Sequence, residues 1–192
     1  MDLNLVKSQG KIDLIQPETE PYVLSINISP GGIPKHPIES VRITFSGLEG
    51  DGHNHAKHNN PIQAVCLQDM ERLYELTQEG FPLSPGQAGE NLTVKNLDVN
   101  LLPLGTLLEF SGGVVLELSK IRKPCYVMDA IDTQLKTAAV GRHGMYAMVL
   151  KEGMVKSGDR IHVMKPALSQ ILHIFCMHAK FRDYSAEKEK SL

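Results

Sequence analysis

The sequence contains no tryptophan, and aromatic residues make up only 5% of it. A surface that reads single-stranded nucleic acid by stacking bases on aromatic rings is therefore disfavoured. Charge of one sign is also lacking. A formal net charge of -2 gives no whole-chain signal for nucleic acid or for a membrane surface. Cysteine is scarce: Cys66, Cys125 and Cys176 lie far apart, form no C-x-x-C pair and are odd in number. This excludes a secreted disulfide framework and fits reduced thiols in a cytoplasmic setting. Long apolar runs are missing too. The densest stretch, Ile171 to Met177, is interrupted by His173 and is too short to cross a bilayer. The first residues, with Asp2 and Lys7 and no apolar stretch, do not form a signal peptide. Walker A, G-x-G-x-x-G, H-E-x-x-H and G-x-S-x-G patterns are all absent, which removes the commonest nucleotide, protease and esterase readings.

What remains is the composition of an ordinary globular protein, with 42% hydrophobic and 22% charged residues over a length of 192. No internal repeat or low-complexity block is evident. Residues 1–21 are polar and read as a leader. From Tyr22 the chain alternates as strands do, over Tyr22–Ile28 and again over Val41–Phe45. Between them Pro30-Gly31-Gly32-Ile33-Pro34-Lys35 predicts a fixed loop whose backbone can approach a ligand closely.

The best helix is expected from about Gln68 to Gln78, with Leu67, Met70, Leu73, Tyr74 and Thr77 on the inner side and Gly80 and Pro82 as its stop. Further strands are predicted at Asn91–Val94, Leu107–Phe110, Val114–Ser119, Tyr146–Leu150 and Arg160–Met164. Shorter helices are expected over Val127–Leu135 and, in a helical tail spanning 167–192, over Leu168–Phe181. Many short strands, glycine turns and few helices predict a mainly β fold, closed or nearly closed into a barrel.

Four segments carry candidate chemistry. Cys125 taken alone is ambiguous, because free cysteine is commonly a small buried hydrophobe. Arg122 and Lys123 lie close to it and favour the thiolate, while Pro124 fixes the backbone beside it. A thiolate so placed could ligate a soft metal, carry a persulfide or attack an electrophile. Cys66 and Cys176 lack such neighbours and read as structural.

Gly89-Glu90-Asn91-Leu92 offers donors and acceptors for a heterocycle edge, or else a loop closed by an Asx turn. Gly141-Arg142-His143-Gly144 frames a guanidinium fork suited to phosphate, or else a solvated hairpin turn. His53-Asn54-His55-Ala56-Lys57-His58 resembles a zinc cluster in composition, but Lys57 sits within it and no partner ligand has zinc spacing. An exposed loop, one of whose imidazoles could donate a proton, fits it better.

The order of these segments is itself informative. Gly31-Gly32-Ile33-Pro34-Lys35, Gly47-Leu48-Glu49-Gly50-Asp51-Gly52-His53, Gln63-Ala64-Val65, Gly89-Glu90-Asn91-Leu92-Thr93, Leu104-Gly105, Arg122-Lys123-Pro124-Cys125, Gly141-Arg142-His143-Gly144-Met145-Tyr146-Ala147 and Gly158-Asp159-Arg160-Ile161 follow one another along the chain. This series resembles the MOSC domain, named after the C-terminal domain of molybdenum cofactor sulfurase, over residues 22–166.

The resemblance implies a β-rich barrel and one essential cysteine, falling here on Cys125. It further implies a molybdenum cofactor (molybdopterin) whose metal Cys125 binds, and reduction of N-hydroxylated compounds. The alternative it implies is a non-catalytic module that carries sulfur as a persulfide or delivers the cofactor. Pyridoxal phosphate binding is associated with the family as a whole. Lys35, Arg122 and Arg142 are the residues expected to contact the pterin's anionic groups, with Asn91 near the pterin. Partners implied are the pterin cofactor, a molybdoenzyme or a cofactor-biosynthesis protein, and a second copy in a homodimer, with no nucleic acid and no membrane. The N-terminal barrel domain of the larger reductases is not evident, so a substrate channel is expected to form differently.

Overall fold

A computed structural model describes residues 20–52 and 60–164. Most of the polar leader, the His53–His58 loop, Cys176 and the expected helical tail lie outside the described residues. The strands are β1 (Tyr22–Ile28), β2 (His36–Ile38), β3 (Ser40–Thr44), β4 (Gly47–Leu48), β5 (Val65–Asp69), β6 (Leu92–Lys95), β7 (Leu107–Phe110), β8 (Val115–Ile121), β9 (Met145–Lys151), β10 (Gly153–Lys156) and β11 (Ile161–Met164). Two helices, α1 (Met70–Gln78) and α2 (Leu135–Ala138), join short 3-10 turns at Pro61–Gln63, Val99–Leu101 and Tyr126–Ala130. The fold is mainly β, as expected. Among the described residues no helix is long and apolar enough to cross a membrane.

The barrel expectation is corrected. Eight strands form one sheet in the order β11-β7-β8-β9-β5-β6-β1-β2, and β10-β3-β4 form a second, so the large sheet has two ends. β1, next to the edge strand β2, meets the chain just before β11 over a short stretch: a bridge between Tyr22 and Arg160, with Val23 N to Asp159 O at 2.9 Å, Gly158 N to Val23 O at 2.8 Å and Ile161 N to Pro21 O at 2.8 Å. Among the described residues this pairing spans only Pro21–Val23 and Gly158–Ile161, and Pro21 has no N–H to extend it, so no continuous ladder closes the sheet.

Every pairing in the large sheet is antiparallel except β5 with β6, whose crossover contains α1. β5 is buried at all five positions. Val65 and Leu67 enter the main core with Leu92, Val94, Leu116, Leu118, Ala147 and Val149. Strand alternation therefore turns Cys66 and Gln68 to the opposite face. A second, smaller core of Leu73, Leu76, Leu83, Ala88, Met128, Leu135 and Ala139 holds α1, α2 and the Tyr126–Ala130 turn together.

The helix expected from Gln68 begins at Met70, because Gln68 and Asp69 still belong to β5. Its inner stripe also differs from expectation. Leu73 and Leu76 are buried, while Tyr74 is 58% exposed. Each buried leucine contributes about 1.5–3 kcal/mol. The single helix expected over Val127–Leu135 is instead the Tyr126–Ala130 turn followed by α2, with Ile131 to Gln134 between them.

Candidate functional site

The site grows from the end of β8, where the chain leaves the sheet. Arg122 N donates to Gly144 O at 3.2 Å, which holds the backbone of Arg122 beside the start of β9. The side chain turns inward and is only 8% exposed. Its Nη2 donates to Ala88 O at 2.5 Å, whereas Nη1 finds no partner among the described residues. A buried guanidinium with an unmatched fork is costly unless other charge or dipole faces it.

The facing groups come from three different segments. Glu90 is fully buried; its Oε1 accepts from Gly86 N and Thr93 Oγ1, both at 2.7 Å, and its Oε2 has no partner among the described residues. Burial pushes this carboxyl above the ordinary carboxylate range, while its hydrogen bonds and Arg122 pull the other way. His143, 2% exposed, is held at about 2, first by burial and then by the Arg122 charge, so the imidazole is neutral, and its Nε2 has no partner among the described residues. The β5–β9 register sets Cys66 opposite Tyr146. Burial raises the Cys66 thiol, against the pull of Arg122. Tyr146 is raised by burial and by the Cys66 thiol, against the charge of Arg122 and a hydrogen bond with its guanidinium, with a smaller push from Cys125. Arg122, Glu90, His143, Cys66 and Tyr146 thus share one low-dielectric space.

Cys125 caps the Tyr126–Ala130 turn from an extended backbone conformation, and its carbonyl accepts from Met128 N at 3.1 Å. It is half-buried where Cys66 is enclosed. Of the two described thiols, Cys125 is the one solvent and a ligand can reach. Cys66, read from sequence as structural, is buried but packed into the Arg122 cluster.

Lys35 and Asn91 meet on Asp51. Lys35 Nζ and Asn91 Nδ2 donate to the same Asp51 Oδ2 at 2.5 and 2.8 Å, and Asp51 Oδ1 accepts from Ser29 N at 3.0 Å. Asn91 Oδ1 in turn accepts from Cys66 N at 3.1 Å, which ties this network to β5. The Lys35 charge bears on Cys66 together with that of Arg122. These residues are therefore gathered around one region.

Arg142 is not among them. Its fork engages Glu79 at 2.6 and 2.9 Å, at the end of α1. Because this pair is exposed, we expect Arg142→Ala to leave the thermal unfolding midpoint nearly unchanged. A large fall would mean that the Glu79 pair, or the bonds that Arg142 Nε and Nη2 donate to Ala138 O at the end of α2, anchor the helices. His143, next to Arg142, is the residue of that segment that enters the cluster. Among the described residues no group of three His, Cys, Asp or Glu is arranged to hold a metal ion.

Comparison with known proteins gives a consistent picture. A family model described as the MOSC domain matches residues 51–162. The uncharacterized protein YflK of Bacillus subtilis is 30% identical over 160 residues, which are 79% of this chain and 72% of YflK. A protein of Gibberella moniliformis named "Reductase" is 27% identical over 133 residues, 65% of this chain but only 24% of that protein. Two solved structures share the fold. The YUAD protein of Bacillus subtilis superposes with a TM-score of 0.66 at 19% identity, covering 76% of this chain and 97% of that one. YiiM of Geobacillus stearothermophilus gives a TM-score of 0.63 at 24% identity, covering 81% of this chain and 83% of its own.

Proposed function

This chain belongs to the MOSC domain family, and from that premise we propose that it holds a molybdenum cofactor through Cys125 and reduces N-hydroxylated compounds. The observation that carries the reading is an accessible Cys125 thiol three residues after the buried Arg122, whose Nη1 has no partner among the described residues, with both groups bearing on Tyr146. The donor set suits such a group: a soft sulfur ligand for the metal, and an unsatisfied buried cation for an anionic or oxygen atom. When bound, the cofactor supplies the two-electron chemistry that removes an oxygen atom. The name of the fungal relative, "Reductase", agrees in reaction class.

The chain's own residues then have distinct parts. Cys125 binds the metal. Arg122 supplies a fixed donor, and Lys35 adds charge from the Asp51 network. Asn91 holds that network against β5. Arg142, engaged by Glu79, has the weakest claim of the set. His143 is neutral and disfavours protonation, so it orients a partner by hydrogen bonding rather than acting as a base or a standing cation.

The test is metal analysis of protein made in a host that synthesises the cofactor. Stoichiometric molybdenum, lost in Cys125→Ser with the unfolding profile unchanged, is the expected result. Protein that takes up no molybdenum would overturn the cofactor reading. An extra sulfur on Cys125 in the intact mass would then favour the persulfide carrier. Turnover of a hydroxylamine or hydroxamate separates the enzyme from a delivery module.

A further inference from the structure

Between β6 and β7 the segment Asn96–Leu101 crosses from the start of α1 to the start of β9, and its fastenings follow a pattern. Asn96 N donates to Glu71 Oε1 at 3.1 Å, and Arg72 Nη2 donates to Asp98 Oδ1 at 3.0 Å. Val99 N donates to Asp69 Oδ2 at 2.8 Å. At the far end Asn100 pairs with Gly144 in both directions, Gly144 N to Asn100 Oδ1 at 3.1 Å and Asn100 Nδ2 to Gly144 O at 3.2 Å. Gly144 O is also the acceptor for Arg122 N, and His143 immediately precedes it.

One side chain of this segment therefore fixes the backbone turn on which two members of the buried cluster depend. The segment is held under strain, since Asn96 and Asp98 both adopt left-handed conformations, at φ 61° and 52°. Each such residue costs on the order of 1 kcal/mol.

We infer that Asn96–Leu101 is a strap that positions His143 and Arg122 through Asn100 and Gly144, and that Asp69 latches it in a proton-dependent way. Asp69 is fully buried and leaves Oδ1 without a partner among the described residues. It does not cap α1, where an aspartate at this position ordinarily would. From α1 it is faced by Glu71 and Arg72, from the strap by Asp98, and across the β5–β6 ladder by the uncharged Val94. Three carboxylates thus share one guanidinium, and Arg72 is also drawn to Glu75.

Burial chiefly, and its acidic neighbours, push Asp69 up from 3.8 to about 7. With the strap closed the carboxyl keeps its proton to about pH 7; opened to water it ionises near its ordinary value. Opening therefore releases one proton between about pH 4 and 7, and rising pH favours the open form across that window. Above it both forms are ionised and the dependence stops.

The inference depends on the proposed function only for the strap's purpose, so its test needs no cofactor. Amide hydrogen exchange on the full-length protein, divided by the intrinsic rate at each pH, reads the latch at Val99 N and the site end at Gly144 N. For a one-proton opening, exchange at both is expected to rise about fiftyfold from pH 5 to pH 7 and to level off near a hundredfold above about pH 8. Asp69→Asn should flatten the profile at both amides. Asn100→Ala should expose Gly144 N while Val99 N keeps its pH dependence. An unchanged profile in Asp69→Asn would overturn the latch, and retained protection of Gly144 N in Asn100→Ala would overturn the positioning role. Loss of molybdenum binding with these profiles intact would count against the proposed function alone.

Discussion

Gly144→Ala is expected to destabilise the protein by more than about 4 kcal/mol, a large part of the roughly 5–15 kcal/mol that holds an ordinary domain together. Two effects add. Gly144 sits at φ 76°, where a Cβ costs about 1 kcal/mol. The greater loss is steric, for that Cβ would lie 2.0 Å from Leu67 O and 2.9 Å from Gln68 Oε1. A backbone carbonyl in a central strand cannot step aside, so β9 would have to move away from β5. That displacement would break the contact on which Arg122, Asn100 and Tyr146 all depend.

Gly141 supplies the control. It has the same φ of 76°, but a Cβ there would meet nothing within 4 Å, so Gly141→Ala should show only the backbone strain. Urea unfolding of the two variants measures the difference. Equal midpoints would mean that the close approach of β9 to β5 is not what Gly144 serves.

The elements that the sequence made legible are those with one face in the core. Tyr22–Ile28 alternates and is found as β1 at the same bounds, and Leu107–Phe110 is likewise found as β7. β5 escaped because both its faces are covered: Val65-Cys66-Leu67-Gln68-Asp69 shows no alternation between apolar and polar that marks a half-exposed strand. Its end was absorbed into the helical pattern of α1, which also drew Tyr74 onto the wrong side.

The same omission hid the site. Arg122 and Cys125 stand three positions apart and are visible as one motif. Cys66 joins them only through the pairing of β5 with β9, a long-range register that no local pattern encodes. In Gly141-Arg142-His143-Gly144 the guanidinium drew attention by its chemistry. The left-handed glycine and the Asn100 pairing set instead His143 inward, and Arg142 pairs with Glu79. That the sheet stays open was not legible either, because it depends on how short the long-range meeting of β1 with residues 158–161 is.

Arg122→Met is expected to cost about 3–5 kcal/mol at neutral pH, because it removes a buried cation and leaves its neighbours behind. Ala88 O loses its donor, and Glu90 Oε2 loses the positive field that opposes its desolvation. The pH dependence separates these losses. Burial already raises Glu90 in the folded state, and a carboxyl raised on folding withdraws stability as pH climbs above its unfolded value.

Without Arg122 that carboxyl rises further, so Arg122→Met should be harmed more at pH 8 than at pH 5. Glu90→Gln keeps an oxygen for Gly86 N and Thr93 Oγ1 but carries no charge, and in the double variant the added pH dependence should vanish. A coupling of about 1 kcal/mol or more in the double-mutant cycle at pH 8, shrinking at pH 5, would identify Glu90 as the electrostatic counterpart of Arg122. Equal losses at both pH values would assign the cost to Ala88 O and packing. The buried cation would then be held for what it offers a ligand at Nη1, and not for the carboxylate beneath it.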